Sequence, residues 1–326
     1  MICIQDKNTD PYFNLAAEEY VLKNFKDDVF MLWRNDNAII VGKHQNTLSE
    51  INLEYVKEKG IKVVRRISGG GAVFHDLGNL NFTFIRTGKE GNLVDFKKFT
   101  LPIIEVLQKM GVNARFEGRN DLTIEGKKFS GNAEHVWKNR TLHHGTILFS
   151  SVISDLTKAL KVNPLKFKDK AVKSVRSRVT NVSEHLKEKM DVAAFSEKIM
   201  EHIMEKYEDS TLYEFTPQDI QKINALREEK FSRWEWNFGY SPKYNFEKLI
   251  KTNGGTLEFH IDVEKGMIKD IKIFGDFFHK HDIDSVERAL AGVQHDPDAI
   301  REVISTFDFD NYFKNISVGE FVSGMF

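Results

Sequence analysis

The segment Arg65-Arg66-Ile67-Ser68-Gly69-Gly70-Gly71-Ala72-Val73-Phe74-His75-Asp76 joins a pair of guanidinium groups to three consecutive glycines. Such a run weakens a β-sheet. It lets backbone approach a ligand closely, because no Cβ intervenes and φ is unrestricted. Successive free N–H groups in that setting form a concave anion site, and Arg66 adds a bidentate donor for a phosphate or carboxylate. The spacing is neither a Walker loop nor a dinucleotide fingerprint: G-x-x-x-x-G-K-[ST] is absent, and Phe74 stands where Gly69-x-Gly71 would need a third glycine. From the residues alone two readings stay open, an anion-binding loop and a glycine-rich hairpin connection with exposed arginines.

A second group of reactive side chains lies in Gly118-Arg119-Asn120-Asp121-Leu122 and Lys127-Lys128-Phe129-Ser130-Gly131-Asn132-Ala133. Strand alternation puts Lys127 and Lys128 on opposite faces, with Lys128, Ser130 and Asn132 in one polar row. That row faces either a cleft or water. Asp121 offers oxygen to Mg²⁺ and Asn120 an amide to a base or ribose; an Asx turn ahead of a strand accounts for the same pair. His143-His144 sit next to each other on a strand, so they point to opposite faces and do not make the i, i+4 pair of a helical metal site. Packing or hydrogen bonding is expected for at least one of them.

The elements that must position these groups read as follows. Asp10-Pro11 opens a helix, with Asp10 as cap and Pro11 in the first turn. Val29 to Trp33 and Ala38 to Val41 are strands, and Leu53 to Lys59 is a helix stopped by Gly60. Strands then dominate: Lys62 to Arg66, Ala72 to His75 and Asn79 to Ile85, the last with Phe82 and Phe84 on one face. Phe96 to Met110 is helical. Residues 113–150 form a meander with turns at Glu125-Gly126 and Lys138-Asn139. Helices return around 154–160, 192–207 and 217–230. A domain boundary is expected near 245–254, where the turn-rich Tyr240-Ser241-Pro242-Lys243 precedes Asn253-Gly254-Gly255. A hairpin, Thr256 to Val263 with Met267 to Phe274, and two helices follow it. Strand-rich and helix-rich blocks do not alternate regularly, so the fold class is α+β. The division expected is 1–246 and 247–326.

The 326 residues carry a formal net charge of −1, which argues against general nucleic-acid binding. A single cysteine, Cys3, excludes an internal disulfide framework. No apolar run reaches the roughly 20 residues that span a bilayer. No signal peptide is visible, so a cytoplasmic protein without a membrane partner is expected. Lys161 to Arg178 holds seven basic residues against one aspartate; it is a solvated loop, or one that closes over a ligand or meets an acidic partner.

Taken together the motifs resemble the lipoate–protein ligase family. The matching stretches are Arg65-Arg66-x-Ser68-Gly69-Gly70-Gly71-Ala72-Val73-Phe74-His75-Asp76-x-Gly78-Asn79, Gly118-Arg119-Asn120-Asp121-Leu122, Lys128-x-Ser130-Gly131-x-Ala133 and His143-His144-Gly145-Thr146, followed by Ser174 to Asn181 and Trp234 to Gly239. The likeness begins at Phe13-Asn14-Leu15-Ala16, runs to about residue 245 and continues more weakly to Gly275-Asp276-Phe277-Phe278. It implies a biotin/lipoate ligase-like catalytic domain, related in fold to class II tRNA synthetases, with a small α+β C-terminal domain.

The resemblance also implies a two-step reaction: lipoate and Mg·ATP give lipoyl-AMP, and the lipoyl group then passes to a lysine of an acceptor domain, as in 2-oxoacid dehydrogenase E2 subunits or the glycine-cleavage H protein. Carried over residue by residue, Lys128 is the catalytic ammonium and touches both substrates. Arg66, Gly71, Ala72, Val73, Phe74, Asn120 and Asp121 serve the nucleotide. Gly70, Gly71, His75, Ser130 and Gly131 serve lipoate, or octanoate in its place. Asp121 is the candidate Mg²⁺ ligand, and Val73, Phe74 and Phe82 are candidate walls for the acyl tail. A monomer is expected.

Rival readings are a biotin ligase, an octanoyl or lipoyl transferase of the same superfamily, and a non-catalytic nucleotide-binding module. The Arg-Arg-x-Ser-Gly-Gly-Gly-Ala-Val-Phe-His form favours lipoate. Transferases that work through an acyl-cysteine lack a nucleophile here, because Cys3 is remote in sequence from every motif.

Overall fold

A computed structural model describes residues 1–88, 95–118, 120–160, 179–241, 243–277 and 281–326. The basic stretch Lys161 to Arg178, Arg119 and Phe278 lie outside the described residues. The described chain divides into two compact units, Met1–Lys43 with Glu50–Arg233, and His44–Ser49 with Trp234–Phe326.

In the first unit the strands are β1 (Ile2–Gln5), β2 (Val29–Trp33), β3 (Ala38–Val41), β4 (Lys62–Arg65), β5 (Val73–His75), β6 (Asn79–Thr87), β7 (Ala114–Glu117), β8 (Asp121–Ile124), β9 (Lys127–Trp137), β10 (Arg140–Leu148) and β11 (Thr211–Leu212). Eight of them make one mixed sheet in the order β11-β1-β2-β6-β10-β9-β8-β7, and β4-β3-β5 make a second, small sheet. In the large sheet β1 runs parallel to β11 and to β2, while every pairing from β2 through β7 is antiparallel. The two strands β2 and β3, joined by the short polar segment Arg34-Asn35-Asp36-Asn37, therefore belong to different sheets, β2 to the large one and β3 to the small one.

Alternation along β6 sets the two faces of the large sheet. Phe82 and Phe84 enter an apolar core with Phe30, Phe129 and Phe149, covered by Phe99, Ile103 and Leu107 of the helix Phe96–Lys109 and by Phe195, Ile199 and Ile203 of Val192–Lys206. Full burial of each such side chain is worth about 1.5–3 kcal/mol. The intervening Asn81 and Thr83 are equally buried but polar. A strand with polar groups buried on the face away from its apolar core marks where a site is built, since buried polar atoms need partners.

The helix Pro11–Asn24 lies against β4 and β10 and against the helix Pro217–Leu226. It starts at Pro11 as expected, but the Asp10 carboxylate makes no cap hydrogen bond. It is taken by two cations instead, Lys62 at 2.9 Å and Arg227 at 2.7 Å. A carboxylate offered two charge-assisted bonds gains more than from one neutral N–H.

The second unit carries an antiparallel sheet of β12 (Tyr244–Thr252), β13 (Gly255–Glu264) and β14 (Met267–Gly275). Leu257, Phe259, Ile261, Ile271 and Ile273 pack there against Ile300, Phe313 and Phe321. Residues 245–254, where a domain boundary is expected, mostly belong to β12. Tyr244, Phe246 and Ile250 supply its inward row. A C-terminal helix, Val318–Gly324, opens with a Ser317–Glu320 capping box that the sequence reading passed over.

Close packing explains the glycine of His143-His144-Gly145. A Cβ on Gly145 would overlap Asn132 Oδ1 and approach the Phe82 ring to 2.5 Å. Gly145→Ala is therefore expected to cost about 1–3 kcal/mol of unfolding free energy. Equilibrium denaturation is the check, and an unchanged midpoint would contradict the packing described.

Candidate active site

Arg66 directly follows β4 and turns under the glycine loop, where it is 5% exposed. Its Nε donates to Ser68 Oγ at 3.0 Å and to the Gly69 carbonyl at 3.2 Å, and Nη1 donates to Ile40 O at 3.1 Å. Nη2 donates to the carbonyls of Gly69 at 2.7 Å and Gly71 at 2.8 Å. The guanidinium thus serves first as the internal brace of the loop, not as the free bidentate anion donor read from sequence. Each trans peptide points its N–H opposite to its C=O. With the Gly69 and Gly71 carbonyls turned to Arg66, the N–H groups of Gly70 and Ala72 face the other way. Gly70 takes φ +97°, and a Cβ there would lie 2.8 Å from Arg66 Nη2. Arg65 is fully buried and braces the neighbouring chain, with Nη1 on the carbonyls of Gly42 and Lys43 at 3.0 Å each.

The brace extends into the protein. Ser68 Oγ lies 2.6 Å from His144 Nε2, and His144 Nδ1 lies 2.9 and 3.1 Å from the two carboxylate oxygens of Glu18. Thr83 Oγ1 donates to Glu18 Oε1 at 2.6 Å, and Trp33 Nε1 donates to Thr83 Oγ1 at 2.9 Å. Glu18 is fully buried. A polar chain therefore runs from the glycine loop to the Pro11–Asn24 helix with opposite charges at Arg66 and Glu18. Burial pulls the Arg66 guanidinium down to about 10, and Glu18 pulls it back up; it stays cationic at neutral pH. Glu18 escaped the sequence reading. Its signal is the acid pair Glu18-Glu19 inside the mostly apolar helical stretch Leu15 to Leu22.

A cavity of about 140 Å³ opens between this loop and β9. Gly70, Gly71, Ala72, Val73, Arg66 and His75 line one side, and Asn120, Lys128, Gly131 and Asn132 another. Leu15, Trp33 and Ile40, which the sequence reading did not name, form apolar wall. Three expected site residues stand outside this lining. Phe74 is buried on β5, Ser130 is buried beneath Asn132 and accepts from its Nδ2 at 3.2 Å, and Asp121 sits at the start of β8. Phe82, offered as a tail wall, is core on the opposite face of β6.

Lys128 reaches the cavity because β9 bulges: Leu122 pairs with Ser130 and Thr123 with Lys128, so Phe129 is the extra residue. Phe129 drops into the core while Lys127 stays exposed. The Lys128 ammonium lies 2.7 Å from Asp121 Oδ1, with the two side chains 41% and 39% exposed. It packs over Gly131, where a Cβ would lie 3.0 Å from Nζ. The chain returning at Val179-Thr180 pairs beside it, Thr180 N donating to Lys128 O at 3.0 Å.

His75 offers a free donor. Asn14 Nδ2 donates to Asn35 Oδ1, which turns Asn35 Nδ2 to His75 Nδ1 at 3.1 Å. The proton then sits on Nε2, which is buried and has no partner among the described residues. Burial, then Arg66, hold this imidazole neutral, down to about 3.

A mixed α+β domain with a braced glycine loop, a cavity and an ammonium across it defines a protein that holds an anionic small molecule beside a cation. The comparisons make this specific. Residues 10–204 match the lipoyl protein ligase A/B catalytic domain, and residues 241–325 match the bacterial lipoate protein ligase C-terminus. The chain is 42% identical to the lipoate-protein ligase LplJ of Bacillus subtilis, over 99% of both chains. It is 45% identical to lipoate–protein ligase 1 of Staphylococcus aureus over 96% of both. Among solved structures, a lipoate-protein ligase A bound with ATP superposes with TM-score 0.64 and 26% identity, over 73% of this chain and 98% of that one. LipL1 of P. falciparum in complex with lipoate superposes with TM-score 0.61 and 28% identity, over 99% and 97%. The chain belongs to the lipoate–protein ligase family and is a ligase.

Removing the Glu18 charge leaves Arg66 buried without its counter-ion. Glu18→Gln is expected to lower stability by about 3 kcal/mol or more, read by denaturant unfolding. A loss under about 1 kcal/mol would show that the two charges are not coupled.

Proposed function

We propose that this protein uses ATP to convert lipoate to lipoyl-AMP and then transfers the lipoyl group to the ε-amine of a lysine on an acceptor domain. The observation that carries this is the Lys128 ammonium in the wall of a cavity whose facing wall is the glycine loop. A carboxylate is a poor electrophile. One of its oxygens attacks the α-phosphorus of ATP, the bond to pyrophosphate breaks, and a mixed anhydride results. Negative charge builds on the α-phosphate oxygens in that step, where a fixed cation and preoriented N–H groups act most strongly. Lys128 supplies the cation; the N–H groups of Gly70 and Ala72 supply dipoles.

In the second step the acceptor amine attacks the carbonyl carbon, AMP leaves with the bonding pair, and the new amide sheds a proton. Lys128 then meets charge on the carbonyl oxygen. Asn120, Asp121 and the Gly71-Ala72-Val73-Phe74 segment serve the nucleotide, with Arg66 bracing it. For the acid we assign Gly70, Gly71, His75 and Gly131, with Ser130 acting from beneath through Asn132. Leu15, Trp33, Ile40 and Val73 would bound the acyl tail.

Mg²⁺ fits as an ion that arrives with the nucleotide. The described residues contain no group of three acidic, histidine or cysteine side chains able to cage a metal. Mg²⁺ commonly takes one or two protein carboxylates and completes its shell with phosphate and water. Asp121 is the carboxylate at hand, and the ion would neutralise phosphate charge. The acceptor domain, a catalytic role for residues 1–246 and an accessory role for 247–326 belong to the same proposal. A thioester route through Cys3 is disfavoured, because that thiol is fully buried and burial raises its pKa.

Lys128→Ala is expected to lower lipoyl-AMP formation by about 10²-fold or more while the fold persists. Lys127→Ala, on the exposed face, is expected to stay within about twofold of wild type. Single-turnover assays with mass detection of lipoyl-AMP separate the two. Equal losses would remove Lys128 from its assigned place.

A further inference from the structure

Behind the cavity wall, Glu134 on β9 and His143 on β10 stand directly opposite each other, with Glu134 Oε1 2.8 Å from His143 Nδ1. Both side chains are almost wholly buried, at 3% and 0% exposure. The imidazole is stacked between Phe82 and Phe99, ring centres 5.9 and 5.1 Å away. This pair touches no part of the cavity, and the chemistry described above does not use it. Its other neighbour is Asn132, whose Oδ1 lies 3.2 Å from His143 Nε2.

The hydrogen-bond directions are fixed by one acceptor that cannot donate. Asn132 faces the backbone carbonyl of Asn120 at 3.0 Å, and a carbonyl only accepts, so the atom facing it is Nδ2. The same Nδ2 lies 3.2 Å from Ser130 Oγ. Asn132 Oδ1 therefore points to His143 and must receive a proton from Nε2. A neutral imidazole with its proton on Nε2 presents a lone pair at Nδ1. Nδ1 then either accepts from Glu134 as a carboxylic acid or, in an imidazolium, donates to a Glu134 carboxylate; the ring's full burial between Phe82 and Phe99 disfavours the charged pair and selects the acid.

We infer that Glu134, held as a protonated acid, and neutral His143 are positioning residues that fix the amide of Asn132 and through it Asn120 in the nucleotide side of the site. Two observations agree with the acid form. Glu134 Oε2 is buried, and no cation or side-chain donor among the described residues reaches it, a poor setting for a carboxylate oxygen and a tolerable one for a carbonyl. Burial also lifts Glu134 to about 7, with the Asp95 carboxylate raising it further and the Asp95 backbone N–H opposing. Burial, then His144, hold His143 well below the usual imidazole range. The link to Asn120 is reciprocal: Asn120 Nδ2 donates to Asn132 O at 2.6 Å, and Asn132 N donates to Asn120 O at 3.2 Å. Asn120 and Asn132 both line the cavity beside Lys128.

This assignment rests on the adenylate-forming reading, and the test separates the two. Lipoyl-AMP formation is measured against ATP and against lipoate for wild type, Glu134→Ala and Glu134→Gln, with ATP affinity measured in parallel by calorimetry. An amide at 134 donates to Nδ1 as the acid does, so E134Q is expected to match wild type within about twofold. E134A is expected to raise KM and Kd for ATP about tenfold, near the effect of one well-placed hydrogen bond, with KM for lipoate nearly unchanged. If E134A does not fold, Glu134→Leu fills the space without a donor and takes its place. A variant whose kcat falls with both KM values unchanged shows a merely structural role. An E134Q as impaired as E134A shows an ion pair that needs the carboxylate. Either result overturns the inference. A wild type that forms no lipoyl-AMP refutes the ligase reading instead, and the calorimetric comparison still decides the positioning role.

Discussion

The structure depends on one buried cation. Arg66 turns the carbonyls of Gly69 and Gly71 inward, and by peptide geometry that turns N–H groups outward toward the cavity. A guanidinium can do this because its donors are planar and its charge is permanent. Burying it is costly unless a counter-charge and full hydrogen bonding accompany it. Ser68, His144 and Glu18 supply both. Glu18 comes from a helix far away in sequence, so the loop's shape is set by the packing of Pro11–Asn24 against β4 and β10. The glycine loop is thus a tertiary product, although its sequence looks self-contained.

The second requirement is an ammonium on the far side of the same cavity. Regular alternation would put Lys128 on the face of Ser130 and Asn132, which turns toward Leu122 and His143. The bulge between Leu122 and Thr123 lets Phe129 fill the core while Lys128 turns to the cavity edge. Asp121 holds the ammonium at 2.7 Å. The pair is well exposed, so the ion pair itself adds little stability. Its value is placement: it holds the Lys128 ammonium at the cavity edge, where the proposed chemistry needs a cation. Behind it Glu134, His143 and Asn132 form a hydrogen-bonded row, with the His143 ring stacked between Phe82 and Phe99.

Much of this was legible in the sequence, for reasons that differ by residue. The glycine run, Lys128 and the His143-His144-Gly145 stretch stood out because each breaks a local rule for strands. Helix starts and stops at Pro11 and Gly60 were readable from backbone chemistry. The sheet order was not, since β2 and β3 look like one hairpin yet enter separate sheets. Asp10 looked like a cap and became the partner of Lys62 and Arg227, a choice made by groups distant in sequence. Glu18 and Trp33 were missed because an acid in an apolar helical stretch and an aromatic in a strand name no partner; only their meeting at Thr83 shows a role. Strand β12 was masked by the turn residues at both its ends.

The central claim is that this cavity activates lipoate at the expense of ATP, and ATP–pyrophosphate exchange tests it most directly. Exchange is measured with lipoate, octanoate and biotin supplied separately, without any acceptor domain. The account predicts exchange that depends on lipoate and fails with biotin. Absence of lipoate-dependent exchange, or exchange supported by biotin alone, would contradict it.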